Sequence, residues 1–184
     1  MSVSRFHFQR AAQLLHAGSV IAYPTEAVWG LGCDPHNENA INQLLELKGR
    51  PANKGLILIA SSVNQIANIL DQLSARDRKK VIATWPGPVT WVLPHFGTVS
   101  PLVSGGRDTV AVRVTAHPLA SALSESFGGA LISTSANPTG FAPAKTRLRI
   151  AQYFGAELPV VNGELGGLDK PTMIRTLDGK LLRN

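Results

Sequence analysis

The chain has 184 residues, 44% of them hydrophobic, with 17 glycines and 12 prolines; this describes one substantial globular unit and excludes a disordered or fibrous chain. A net charge of +6 and a pI near 9.9 favour anionic partners such as nucleotides, RNA or phosphorylated substrates. The lone cysteine, Cys33, excludes an internal disulfide and a multi-cysteine metal site, and the lack of an apolar leader or of an apolar run of about 20 residues makes the cytoplasm the expected location.

Phe8, Ala11, Ala12, Leu14 and Leu15 recur at helical spacing and predict an amphipathic first helix ending near Gly18. Val20-Ile21-Ala22-Tyr23 reads as a strand closed by Pro24. The stretch 24–32 contains Gly30-Leu31-Gly32, which is not a dinucleotide fingerprint, because the third glycine is missing and Pro35 intrudes. Ala40, Ile41, Leu44, Leu45 and Leu47 predict a second helix, broken at Gly49 and Pro51, and 56–60 reads as a fully buried strand. Lys48, Arg50 and Lys54 therefore stand on a short connector between two buried elements. Such a cluster suits a fixed phosphate site, since Arg forks onto phosphate oxygens and Lys supplies a point charge. It equally suits a solvated basic loop that offsets the helix dipole, and the residues alone leave both readings open.

Residues 62–71 and 74–84 predict a helical pair with Ile66, Ile69, Leu70, Leu73, Val81 and Ile82 as core. Trp85-Pro86-Gly87-Pro88 is a rigid turn, 89–93 a strand, and 99–107 a loop whose Gly105-Gly106 can approach a ligand closely. Thr109 to Val114 alternates, with Val110, Val112 and Val114 on one face and Arg113 on the other. A helix follows with Pro118 in its first turn and Leu119, Ala122, Leu123 and Phe127 inward. The strand from 131 ends in small polar residues. Ser133 and Ser135 share a face, and Asn137, kept extended by Pro138, continues it. That row can orient a polar ligand, or serve only as a turn before a helix at 145–154. Residues 159–161, 171–177 and 180–183 are short closing strands. Without repeats or linkers, residues 1–184 are expected to form one domain around a mixed α/β sheet flanked by helices.

Several chemistries find no motif. There is no P-loop and no Gly-x-Ser-x-Gly elbow. His7, His16, His36, His95 and His117 form no His-x-x-x-His pair, so no protein-bound metal site is expected. Cys33 reads as a small core residue. What remains is a cationic connector, a Ser/Asn row and Arg113 on a sheet, parts that fit electrostatic catalysis on a nucleotide better than covalent catalysis.

Six ordered blocks carry a resemblance. They are Tyr23-Pro24-Thr25-Glu26-Ala27-Val28-Trp29-Gly30-Leu31-Gly32, Leu47-Lys48-Gly49-Arg50-Pro51, Leu56-Ile57-Leu58-Ile59-Ala60, Trp85-Pro86-Gly87-Pro88-Val89-Thr90, Ala111-Val112-Arg113-Val114 and Ser133-Thr134-Ser135-Ala136-Asn137. Over residues 8–183 the chain resembles the YrdC-type threonylcarbamoyl-AMP synthase family in its single-domain bacterial form. The resemblance implies a mixed, twisted α/β sheet with a basic concave cavity. It also implies a nucleotidyltransferase that joins ATP, L-threonine and bicarbonate into threonylcarbamoyl-adenylate, releasing pyrophosphate. Mg2+ would arrive with the ATP. The product would pass to a separate tRNA threonylcarbamoyl-transferase complex. By position, Lys48 and Arg50 would be catalytic and hold the ATP phosphates, with Thr109, Ser135, Asn137, Pro143 and Arg183 as further nucleotide contacts. Thr25, Lys54, Arg113, Ser133 and Thr172 would bind threonine. The chain departs from the family at Pro171-Thr172-Met173, where relatives usually carry Pro-Ser-Thr, so one hydroxyl is lost at Met173. A different class, a tRNA or double-stranded RNA binding module without catalysis, has the basic pI in its favour. It has only 11 aromatic residues for base stacking.

Overall fold

The computed structural model describes residues 5–183. In chain order these form α1 (Arg5–His16), β1 (Ile21–Pro24), β2 (Trp29–Gly32), α2 (Glu38–Lys48), β3 (Ile57–Ala60), α3 (Ala67–Leu70), α4 (Ala75–Ile82) and β4 (Val89–Pro94). Then come α5 (Pro101–Ser104), β5 (Thr109–Val114), α6 (Pro118–Phe127), β6 (Leu131–Ser135), α7 (Arg147–Phe154), β7 (Met173–Thr176) and β8 (Leu181–Arg183). Two short 3₁₀ helices, Ala52–Lys54 and Val63–Ile66, precede β3 and α3. Among the described residues no helix is long and apolar enough to cross a membrane.

Helix ends follow local chemistry. The Asn37 side chain accepts the Ala40 N–H at the start of α2. At its end Gly49 takes the left-handed conformation, φ 55°, so that Gly49 and Arg50 N–H groups cap Glu46 and Leu45 carbonyls. Residues 99–107 differ from the expected loop: the Ser100 hydroxyl accepts the Leu102 N–H and Pro101 opens the short helix α5. The stretch 24–32, left without an element by periodicity, contains β2, which pairs with β1 and β6. Residues 159–161 make a single parallel bridge, Val160 to Ala22, and not a strand. The turn before β4 carries a cis Trp85–Pro86 bond.

The strands form one sheet in the order β1-β2-β6-β3-β5-β4-β7-β8. β3 runs parallel to β5 and β4 parallel to β7; the other neighbours are antiparallel, so the sheet is mixed as expected. Cross-strand partners share a face. Leu31, Leu58, Ile132, Val112 and Trp91 point to one side, into the larger core with Ile41, Leu44, Ile69 and Leu70. Tyr23, Ile59 and Leu131 point to the other side, where Leu15 of α1 and Ala120 and Leu123 of α6 cover them. Along β6 this second face changes from Leu131, under the helices, to Ser133 and Ser135. That polar end of the face is where the cleft lies.

The register explains one glycine directly. A Cβ on Gly32 would lie 2.4 Å from the Ile132 carbonyl oxygen and 2.8 Å from the Tyr23 ring. Gly32→Ala is therefore expected to cost about 1–3 kcal/mol or more as an overpacking change. A urea unfolding curve with an unchanged midpoint would contradict this packing of β1, β2 and β6.

Candidate active site

The cleft has an internal volume of about 50 Å³. It is lined by Thr25 and Ala27–Gly30 from the β1–β2 hairpin, Ile57 from β3, Arg113 from β5, residues 133–135 from β6, Pro171 and Thr172, and Arg183 from β8. A water needs about 10–15 Å³ by this measure, so the space suits a group of amino-acid size and not a whole nucleotide.

Its charged centre is Arg113, only 5% exposed. Arg113 Nη2 lies 3.2 Å from Glu26 Oε2, and its Nη1 donates to the Thr172 hydroxyl. The Thr115 hydroxyl donates to Glu26 Oε1 at 2.6 Å. Burial pushes the Arg113 pKa down while Glu26 pushes it up. Of the five guanidinium donors, Nε is buried without a partner. Arg183 stands beside this pair and donates Nε and Nη2 to the Thr172 carbonyl at 3.0 and 2.8 Å. Burial and then the Arg113 charge lower its pKa. Two guanidinium groups thus face one carboxylate, an excess of positive charge that suits an anionic ligand.

Around this centre the hydroxyls are partly committed. Thr25 Oγ1 donates to the Val28 carbonyl at 2.7 Å, which closes the hairpin and leaves the oxygen free to accept. Ser133 is buried beside Tyr23, whose phenol donates to the Ile132 carbonyl at 3.4 Å and is raised well above its ordinary pKa by burial.

Lys48 is neither solvated nor inside the cleft. The last turn of α2 buries it at 3% exposure, and Nζ donates to the Ser135 carbonyl and, at 2.7 Å, to the Asn137 carbonyl. Burial, then the neighbouring Arg50 charge, lowers its pKa to about 8. Two of its three donors hold the end of β6 in place, which leaves one for a ligand. Arg50 folds back onto the Gly55 carbonyl through Nη2 at 2.8 Å and Nε at 3.3 Å. Burial and then Arg107 lower its pKa. The basic connector is therefore an ordered turn, clipped by Arg107 Nη1 on the Asn53 carbonyl at 2.7 Å.

Of the residues singled out by sequence, Thr25, Arg113, Ser133, Ser135, Thr172 and Arg183 line one cleft. Lys48 and Asn137 join its rim through the backbone of residues 135–137. The Asn137 amide donates to the Pro138 and Phe141 carbonyls, and its Oδ1 is buried without a partner. Arg50 and the exposed Lys54 belong to the connecting turn, and Thr109 opens β5 on the same sheet face as Arg113. Pro143 lies apart, in a shallow depression with Phe141, Arg149 and Tyr153. Cys33 is fully buried with its thiol pushed up to about 12, which suits a core residue. Among the described residues no three His, Cys, Asp or Glu side chains gather as metal ligands.

Sequence reasoning missed three residues. Glu26 stands inside a quoted block, yet nothing in its spacing points to Arg113 on a distant strand. Arg107 fell in the segment read as loop. Gly30 stands in the same block and was otherwise noted only as failing a dinucleotide fingerprint.

The open polar end of a mixed sheet, with paired arginines beside a row of hydroxyls, marks an α/β protein whose cleft suits a small anion. The chain belongs to the Sua5/YciO/YrdC family: the family model described as "Telomere recombination" matches residues 13–183. It is 54% identical over 95% of its length to the threonylcarbamoyl-AMP synthase of Halorhodospira halophila, covering 91% of that protein. To the protein of the same name from Hahella chejuensis it is 48% identical, over 98% of this chain and all of that one. The crystal structure of P. abyssi Sua5 complexed with L-threonine superposes with a TM-score of 0.89 at 31% identity. It covers all of this chain, which spans 55% of the Sua5 chain.

Two expectations follow from this geometry. Removing Glu26 alone leaves Arg113 buried without a counter-charge, so Glu26→Gln should lose about 3 kcal/mol of stability or more, whereas Glu26→Met with Arg113→Met should recover most of it. Urea unfolding of the two variants decides; equal losses would mean that the charge pair is not the source. Lys48 provides the second. With a folded pKa near 8 against an ordinary 10.5, the unfolded chain binds more protons between these values. The Lys48 contribution to stability therefore improves as pH rises through that window. Its attraction for a polyphosphate runs the opposite way, because the ammonium is lost above about pH 8. ATP binding measured by calorimetry should weaken up to about tenfold from pH 7 to pH 9. Constant affinity would place the ammonium away from the anion.

Proposed function

We propose that this chain is an L-threonylcarbamoyladenylate synthase. It would join L-threonine, bicarbonate-derived CO2 and ATP into threonylcarbamoyl-AMP, with pyrophosphate as the leaving group. The observation that carries the reading is the Arg113–Glu26–Thr172 centre beside Ser133 and Thr25 in a cleft of amino-acid size. The names of the relatives, and the L-threonine in the Sua5 complex, support the choice of substrate.

In this reading the threonine carboxylate takes the unpaired donors of Arg113, and Glu26 and Thr172 keep the guanidinium plane fixed to receive it. The neutral amine adds to CO2, and the proton it sheds goes to solvent. One carbamate oxygen then attacks the α-phosphorus of ATP while the bond to the pyrophosphate oxygen breaks. The carbamate is already anionic, so the attack needs no general base. The nucleotide extends out of the small cleft, past Ser135 and Arg183 in its wall, toward Asn137 and Pro143 at the outside. Lys48 uses its remaining donor, and Arg50 its remaining guanidinium edge, on the phosphates, where they offset charge on the leaving pyrophosphate. Mg2+ fits here as the escort of the ATP phosphates, since Glu26, the carboxylate at the centre, is committed to Arg113 and Thr115. The product suits a downstream acyl transfer to tRNA by a separate transferase. A pure RNA-binding module would leave the buried arginine centre without a task.

Arg113 pairs with any α-carboxylate, so choice of amino acid must come from the hydroxylated walls. A site that hydrogen-bonds a substrate hydroxyl strongly rejects analogues lacking it, whereas one missing carbon is discriminated only about 10–200-fold. Bicarbonate-dependent pyrophosphate release should therefore rank threonine first, serine detectably next and valine essentially inactive. Valine turning over as well as serine would overturn the assignment of these walls, and no threonine-dependent pyrophosphate would overturn the function.

A further inference from the structure

Gly30 is a glycine that the fold does not need. It lies in β2, paired with Tyr23 on one side and Ser135 on the other. Its φ is outside the positive range that favours glycine, so an L side chain suits its backbone. Its neighbour on the same face, Gly32, is held to glycine by a carbonyl oxygen 2.4 Å from a Cβ. No comparable obstacle stands at Gly30. A Cβ there would meet the Thr25 Cγ2 methyl at 3.2 Å, and the Ser133 Oγ and Thr134 carbonyl oxygen at 3.5 Å each. A shift of a few tenths of an ångström by one methyl would admit it. What the missing side chain leaves open is the cleft itself, whose wall Gly30 forms.

The surroundings of that point are chemically uneven. On one side is a methyl, because the Thr25 hydroxyl is turned away to the Val28 carbonyl. On the other is a hydroxyl, that of Ser133, with the Thr134 carbonyl at the same distance. A carbon bearing one methyl and one hydroxyl matches this pair of walls. Building on the synthase reading above, we propose that Gly30 is the selectivity residue of the amino-acid site. Its absent side chain makes room for the β-carbon of threonine, with Thr25 Cγ2 packed on the substrate methyl and Ser133 Oγ paired with the substrate hydroxyl.

Gly30→Ala tests this, using the full chain. The variant should melt within about 2 °C of the parent, since the strand backbone accepts alanine, and should bind ATP unchanged by calorimetry. Its affinity for L-threonine alone should fall at least tenfold. The preference for threonine over glycine, as the ratio of kcat/KM in pyrophosphate release, should fall by a similar factor. Thr25→Ser is the independent arm: loss of the methyl wall should lower the threonine-to-serine ratio, within the about 10–200-fold that one carbon commands, and leave the threonine-to-valine ratio unchanged. Threonine binding and selectivity unaffected in Gly30→Ala would overturn the proposal, and so would a failure to fold, because the glycine would then serve the strand. If the parent protein releases no pyrophosphate with threonine and bicarbonate, the synthase reading fails instead. Calorimetry with threonine alone still decides the claim about Gly30.

Discussion

The Glu26–Arg113 pair is the constraint on which the rest of the site depends. A guanidinium this deeply buried carries a desolvation cost of several kcal/mol unless a counter-charge and hydrogen bonds compensate it. Glu26 supplies the charge, and Thr172 and Thr115 supply the hydrogen bonds. These partners come from the hairpin between β1 and β2, from just beyond β5, and from the approach to β7. One buried charge thus draws together segments that are remote in the chain. Arg113 Nε remains buried without a partner, a donor that the pair with Glu26 and the bond to Thr172 leave uncommitted.

The location of the cleft follows from incomplete coverage of the sheet. α1 and α6 cover the part of one face that carries Tyr23, Ile59 and Leu131 and leave open the part where Ser133, Ser135 and Gly30 line the cleft. The opposite face is closed by the larger core. A strand that begins apolar and finishes polar, such as β6, fits that division: Leu131 is fully buried, whereas Ser135 lines the opening. The strand end would otherwise be free to fray, and Lys48 holds it by two hydrogen bonds from an ammonium to main-chain carbonyls. Burial at that position, and then the Arg50 charge, lower the lysine pKa and place a titratable charge at the rim.

Stiffness and chemistry are linked throughout. Arg50 braces Gly55, Arg107 braces Asn53, and Arg183 braces Thr172, each by donating to carbonyl oxygens. Cations held by main-chain oxygens keep their charge while losing rotamer freedom, so less entropy remains to be lost when an anion binds. Electrostatic catalysis benefits from this kind of pre-set arrangement.

Local physics made much of the chain legible as sequence. The apolar spacing of α1, α2 and α4, the alternation of Val110, Val112 and Val114 against Arg113, and the breaks at Gly49 and Pro24 depend on neighbours within a few residues, and they appear where expected. The six blocks pointed to the family, and within them Thr25, Arg113, Ser133 and Ser135 lie in one cleft with Thr172 and Arg183 from outside the blocks. Other features were decided only by the fold. β2 has two glycines in four residues and little strand signal of its own, and it exists because β1 and β6 supply partners on both sides. Lys48 looked like a solvated or phosphate-facing cation, but its burial depends on the position of the β6 carbonyls. The carboxylate that compensates Arg113, and the room left by Gly30, are relations between distant strands. Spacing along a chain records which residues share a helix or a strand face, but not which strands lie side by side; contacts set by strand order therefore had to come from the tertiary structure.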